Sequence, residues 1–302
     1  MMTYGADAYL DLSEREALNF IALIHAHSGI KLDLDKKALI TSRLLKRLRA
    51  LGLESLRHYF DYLQTAEGQR DELGPMIDEI TTNKTSFFRE RHHFDYLEQS
   101  YLPDLLRRLR FAWKIDLNIW SAGCSTGEEA YSMAMVLAEF CEKAGGGKFA
   151  IVGTDISTRA LLRARQAVYP EALLEPVPAV YRDKYMMRGK GKQAGNYRVV
   201  PELRDAATFE YMNFVDDHWD VPDKLDIIFC RNVMIYFDRP TRQRIVRRFY
   251  DHLTVDGLLF IGHSETLSDI DHRFAQVMPT VYQRTAMERR NPQRYGRRAG
   301  DA

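Results

Sequence analysis

A chain of 302 residues has room for one large domain or two ordinary ones, and 45% hydrophobic with 28% charged residues is the composition of a globular protein with a real core. A net charge of +1 argues against a bulk polyanion binder, and no apolar run approaches the roughly 20 residues of a membrane helix. Cys124, Cys141 and Cys230, odd in number and widely spaced, argue against a disulfide framework or a zinc cluster.

In chain order, residues 11–80 carry helical periodicity. Ser13 followed by Glu16 is a capping-box pattern, and Leu18, Ile21, Ala22 and Ile24 follow at helical spacing. Residues 38–51 repeat the period, with Gly52 as a stop, and residues 55–65 give another short helix. Three or four short helices are expected. Residues 31–50 hold seven Lys and Arg against two Asp, which by itself describes a solvated helix face. Gly74-Pro75 punctuates the chain before a helical stretch at 76–80. A polar, then doubly aromatic, then basic run follows at 81–89. The apolar positions at 94–109 make one or two helices interrupted at Pro103.

From Ile115 onward, strand and helix alternate, which predicts a parallel, doubly wound sheet. The expected strands lie at 115–120, 149–154, 208–212, 225–230 and 257–262, and the expected helices at 128–143, 158–167 and 239–252. Strand-like 274–278 and 280–283 flank Pro279. An insert at 181–203 breaks the rhythm with a Gly-rich stretch between extended runs, which reads as a hairpin whose edges could take up a peptide strand. The tail beyond Arg289 is rich in Arg and poor in apolar residues, so a disordered tail is expected.

The chemistry concentrates at strand ends. The first strand runs into a turn holding Gly123 and Gly127, then a helix opening with Glu128 and Glu129. That is a nucleotide-sized pocket without the Lys-Ser/Thr of a phosphate loop. Acids at a helix start suit the macrodipole. They also suit a positively charged ligand without phosphate, such as S-adenosylmethionine (SAM). Asp155 ends the second strand, where an acid binds ribose hydroxyls, and Ser157 is the better helix cap. Asn213 and Arg231-Asn232 end the next two strands on the same edge. His25, His27, His92 and His93 lack metal-ligand partners, and His263 lacks a nucleophile motif, so no metal and no base are assigned.

Five stretches carry a family resemblance: TTNKTSFFRE at 81–90, WSAGCSTGEEAYS at 120–132, GTDIS at 153–157, FCRNVMIYFD at 229–238 and GLLFIGHSE at 257–265. In this order they resemble the CheR chemotaxis receptor methyltransferases, over roughly residues 10–286. The resemblance implies a Rossmann-like class I SAM-dependent methyltransferase sheet, a small all-α N-terminal domain (1–80) and a methyltransferase domain (81–288) with an inserted antiparallel β-subdomain (178–204). It implies methyl transfer from SAM to glutamate side chains of bacterial chemoreceptors, with S-adenosylhomocysteine as product and no metal. The implied cofactor contacts are Asn83, Thr85, Arg89, Glu129, Asp155, Asn213, Phe214, Arg231 and Asn232. Arg89 and Tyr236 are the candidates for acting on the acceptor. Arg188, Gly189 and Gly191 match the turn of members that dock a peptide at the receptor's C-terminus. Partners are then the cytoplasmic domains of chemoreceptors, in the cytoplasm, with neither nucleic acid nor membrane insertion expected. Two other readings stay open: a nucleic-acid methyltransferase, and a non-catalytic SAM-sensing adaptor.

Overall fold

The computed structural model describes residues 11–108 and 115–286; the expected disordered tail lies outside them. The first part is helical: α1 (Glu14–Ser28), α2 (Lys37–Leu51), α3 (Leu56–Leu63), α4 (Ala66–Asp71) and α5 (Leu73–Ile80). Five helices form where three or four were expected. Ser13 and Glu16 complete the capping box on α1, and Gly29 and Gly52 stop α1 and α2 in the left-handed conformation. Gly74 and Pro75 lie inside the first turn of α5, where a missing amide costs nothing, so the pair does not punctuate. Phe20, Ile24, Leu44, Tyr59 and Met76 meet in this bundle's core.

The basic face of α2 is not simply solvated. Arg47 pairs in bidentate fashion with the buried Glu72 at 2.8 and 2.6 Å, and Glu72 also accepts from the Tyr59 hydroxyl at 2.7 Å. Arg43 donates to the carbonyls of Glu79, Ile80 and Thr81, capping the C-terminus of α5. These two arginines hold the bundle together.

α6 (His92–Tyr96) continues through a π turn at Leu97–Tyr101 into α7 (Leu102–Arg108). Pro103 does not break this helix. The wider turn, with Leu102 donating to the Leu97 carbonyl, absorbs it.

The α/β part then runs β1 (Asp116–Ala122), α8 (Glu128–Lys143), β2 (Lys148–Asp155), α9 (Thr158–Gln166), β3 (Val168–Pro170), α10 (Ala179–Tyr185), β4 (Met186–Arg188), β5 (Asn196–Val199), α11 (Pro201–Asp205), β6 (Ala207–Tyr211), β7 (Leu225–Cys230), α12 (Arg239–His252), β8 (Leu253–Ile261), β9 (Phe274–Met278) and β10 (Val281–Arg284). The main sheet has the order β6-β2-β1-β7-β8-β10-β9, with β10 antiparallel to both neighbours. This is the Rossmann-like sheet of class I SAM-dependent methyltransferases.

Period-2 alternation explains why its strands are almost wholly apolar. Leu117, Ile119, Ile227, Phe229, Leu258 and Phe260 face the layer that holds α8. Trp120, Ala122, Ile228, Cys230, Leu259 and Ile261 face the layer of α12 and Trp219. Both faces are covered, so both parities must be apolar.

The hairpin expected from 181–203 forms between β4 and β5, and a third strand joins it to make the β-subdomain. β5 is central, flanked by β3 and β4. Its outer strand β3 comes from before residue 178, so the small sheet extends beyond the 178–204 boundary. A three-residue strand is too short to show a period.

Candidate active site

A cavity of about 630 Å³ opens at the carboxyl end of β1, β2 and β7, between the sheet and the helical bundle. Asn83, Thr85, Arg89, Glu129, Asp155, Asn213, Phe214, Arg231, Asn232 and Tyr236 all line it. Arg188, Gly189 and Gly191 lie apart, in the β-subdomain turn.

The floor is the turn after β1. Gly123 has φ +85°, and a Cβ there would stand 2.4 Å from Val233 Cγ2, so only glycine lets the two loops close. The amides of Gly123 and Cys124 both donate to the Thr154 carbonyl, at 2.8 and 2.9 Å. The amide of Gly127 donates to Cys124 O, and that of Ser125 to Asp155 Oδ2. Four amides of the turn, those of Gly123, Cys124, Ser125 and Gly127, are therefore already engaged within the fold.

Two acids face the cavity instead. Glu129 accepts from Ser121 Oγ at 2.7 Å and from Arg231 Nε at 2.8 Å. Glu128 turns aside to the Thr126 hydroxyl and does not line the cavity. Asp155 accepts one amide on each oxygen, from Ser125 and Ser157, while the Ser157 hydroxyl caps α9. Burial raises the Asp155 carboxyl above its ordinary value, and the two amides oppose that rise.

The roof is the polar run after α5. Phe87 and Phe88 anchor it, both sunk in the core. Phe88 stacks on Tyr181 with ring centres 5.4 Å apart, and its amide donates to Ser132 Oγ. That leaves residues 81–85 over the cavity, with Asn83 Nδ2 bonded to Ser157 Oγ at 3.0 Å. The only hydrogen bond of the Arg89 side chain among the described residues goes to the Lys84 carbonyl.

Some expected contacts have other employment. The Asn213 amide group donates to the His27 carbonyl at the end of α1 and accepts from the Val215 amide, tying the sheet to the bundle. Phe214 packs among Trp120, Trp219 and Phe249. Arg231 is almost completely buried; besides Glu129 it donates to the Arg89 carbonyl and to His93 Nδ1.

Sequence reasoning missed Glu265. It is buried, and its carboxylate accepts from the amides of Asn232, Val233, Ile235 and Gly262, at 2.5 to 3.3 Å. One side chain thereby shapes the whole loop that carries Arg231, Asn232 and Tyr236. Its sequence signal was an acid just past an apolar strand, beside the His263 that drew attention instead. Burial raises its carboxyl, and those amides hold it down.

The lining fits SAM. It offers two acids for a cation and two buried oxygens without a partner, Ser125 Oγ and Asn232 Oδ1. Unsatisfied buried acceptors in a polar cavity await a ligand's donors. Among the described residues no three His, Cys, Asp or Glu side chains are grouped to hold a metal ion, and no helix is long and apolar enough to cross a membrane.

Comparison with known proteins agrees with this geometry. Residues 83–283 match the CheR methyltransferase, SAM binding domain, and residues 16–81 match the CheR methyltransferase, all-alpha domain. The chain is 43% identical over 259 residues to chemotaxis protein methyltransferase 2 of Pseudomonas aeruginosa, covering 84% of this chain and 88% of that one. It is 40% identical over 273 residues to the chemotaxis protein methyltransferase of Escherichia coli, covering 90% and 92%. The corresponding protein of Borreliella burgdorferi is 36% identical over 276 residues, covering 91% and 96%. Two domain matches in the expected order, over the two walls of one donor-shaped cavity, lead to one conclusion: this chain belongs to the CheR methyltransferase family.

Proposed function

We propose that the chain methylates glutamate side chains in the cytoplasmic domains of chemoreceptors, forming methyl esters during chemosensory adaptation. The observation that carries this reading is a cavity with two acids on its floor and an under-engaged arginine at its roof. SAM supplies an electrophilic methyl on a cationic sulfur. Glu129 and Asp155 face the donor's ammonium and ribose. A glutamate acceptor, with an ordinary pKa of about 4.3, is already an anion at neutral pH, so no general base is required. Arg89 orients that carboxylate, and the Tyr236 hydroxyl offers a hydrogen bond beside the methyl. Alignment and exclusion of water do most of the work; such positioning supplies roughly 7–11 kcal/mol.

A cationic helix such as α2, with Arg43, Lys46 and Arg47, could steer acidic receptor helices toward the site. Arg43 and Arg47 are spent inside the bundle, and Lys46 lies 3.4 Å from Glu79. Lys31, Lys36 and Lys84 line the cavity itself and take over that part of the proposal. A receptor's C-terminal peptide docks on the β-subdomain near Arg188, Gly189 and Gly191. A Cβ at Gly189 would stand 2.1 Å from the Gln193 carbonyl oxygen, so a side chain there would force the turn to shift. The cytoplasm is the compartment this substrate requires, and three buried, unpaired thiols suit it.

Radiolabelled methyl transfer to receptor-containing membranes, with calorimetry of S-adenosylhomocysteine binding, tests the reading. The expected product releases its label in mild base, as a methyl ester does. Binding without transfer favours the adaptor; transfer to nucleic acid in a base-stable bond favours the other alternative. Capture of C-terminal receptor peptides, lost in Gly189→Ala with transfer chemistry intact, tests the tether.

A further inference from the structure

Arg231 makes its contact with Glu129 from a position fixed on its far side. His93, fully buried on α6, sits behind it with Nδ1 3.1 Å from Arg231 Nη1. A guanidinium only donates, so Nδ1 is the acceptor and the ring proton is on Nε2. Nε2 lies 2.7 Å from Thr280 Oγ, and the Thr280 hydroxyl in turn donates to the Pro279 carbonyl at 2.6 Å. Every donor and acceptor along this line is matched in one direction only.

Thr280 stands in the turn between β9 and β10 with φ +63°, in the left-handed region that β-branched residues avoid. Strain of this kind persists where surrounding contacts over-determine it. Burial, and the neighbouring Arg231 charge, hold the His93 imidazole down to a pKa of about 2, so the ring stays neutral and an acceptor. Rings of Phe94 and Phe229 cover the guanidinium at 5.5 and 5.2 Å. Glu90 Oε2 is 3.6 Å from both Arg231 and His93, too far for a hydrogen bond.

We propose that His93 is a positioning residue of the donor site: anchored by Thr280, it aims Arg231, and through Arg231 it sets the Glu129 carboxylate that meets the donor's cation. The proposal rests on the reading of Glu129 given above.

Two measurements test it. Imidazole nitrogen spectra of the ligand-free chain, with His93→Asn to assign the signal, should show the neutral Nε2–H tautomer between about pH 6 and 8. An Nδ1–H tautomer or an imidazolium would mean that His93 serves Glu90, and overturns the proposal. In calorimetry with S-adenosylhomocysteine, His93→Phe should weaken binding on the order of tenfold, the loss expected for a hydrogen bond to a charged group. His93→Asn, which keeps an acceptor toward Arg231, should lose less than about threefold. In an Arg231→Met background, His93→Phe should add nothing, because coupled residues are non-additive. A folded His93→Phe chain that binds as wild type, or losses that add in the double variant, overturns the proposal. Thr280→Gly relieves the left-handed strain and removes the hydroxyl; unchanged affinity there overturns the proposal even if His93→Phe does not fold. A wild-type chain that fails to bind S-adenosylhomocysteine sinks the donor-site reading instead, and the tautomer still decides the role of His93.

Discussion

The floor and the mouth of the cavity are built on opposite principles. On the floor and just behind it, Glu129, Arg231, Asp155 and Glu265 are each held by two or more named partners, at 2.6 to 2.9 Å. At the mouth, Lys84 has no ion pair among the described residues, Lys31 stands 4.0 Å from Asp33, and Lys36 reaches only its neighbour Asp35. A preorganised floor suits one small cation of fixed shape. Loose, exposed charge suits a macromolecular partner that varies from one receptor to the next. Rigidity therefore belongs to the donor and adaptability to the acceptor.

Glu129→Gln is the strongest attempt to break that contrast. It removes the negative charge that pairs with the buried Arg231 at 2.8 Å, at a cost of about 3 kcal/mol in stability, and should weaken S-adenosylhomocysteine binding roughly a hundredfold, the effect of losing a charge-assisted contact in a desolvated site. Chemical denaturation and calorimetry read the two effects separately. A variant with wild-type affinity would mean that the floor does not hold the cation.

Next comes charge reversal of Lys31, Lys36 and Lys84 to Glu. Receptor KM should rise about three- to tenfold, and the effect should fade with added salt, as screened surface charge does. Donor affinity should stay within about twofold. A matching loss of donor affinity would erase the division between mouth and floor.

A pH dependence of the floor completes the comparison. In the unfolded chain His93 has its ordinary pKa of 6.5, and in the fold about 2. The unfolded state then binds a proton that the native state refuses. The stability contribution is complete above pH 6.5 and is lost as pH falls below it, with a slope of up to about 1.4 kcal/mol per pH unit. His93→Phe should show a shallower slope than wild type across that window in urea titrations at several pH values. Parallel slopes would place the titration elsewhere.

The sheet and most cavity-lining positions were legible because their signals are local. Gly123, Asp155 and Arg231-Asn232 sit at the ends of strands whose apolar runs give them away. Contacts that join distant segments left no such trace. Glu265 closes a loop more than thirty residues upstream of it, and Thr280 meets His93 from 187 residues away. The arginines of α2 have the periodicity of a solvated face, and only the position of α5 turns Arg43 inward. β3 has three residues and pairs with a strand that begins 26 positions beyond its own end.

One short bridge has a wider consequence. Ile30, just past α1, pairs with Phe237, and the Lys31 amide donates to the carbonyl of Tyr236 itself. The helical bundle thus completes the backbone of the loop that carries the residue proposed to act on the acceptor. The two family domains are not exchangeable modules. A methyltransferase half transplanted onto another bundle would inherit a donor cavity and a Tyr236 without its scaffold, so new receptor specificity has to be sought in point changes at the mouth rather than by swapping the helical half.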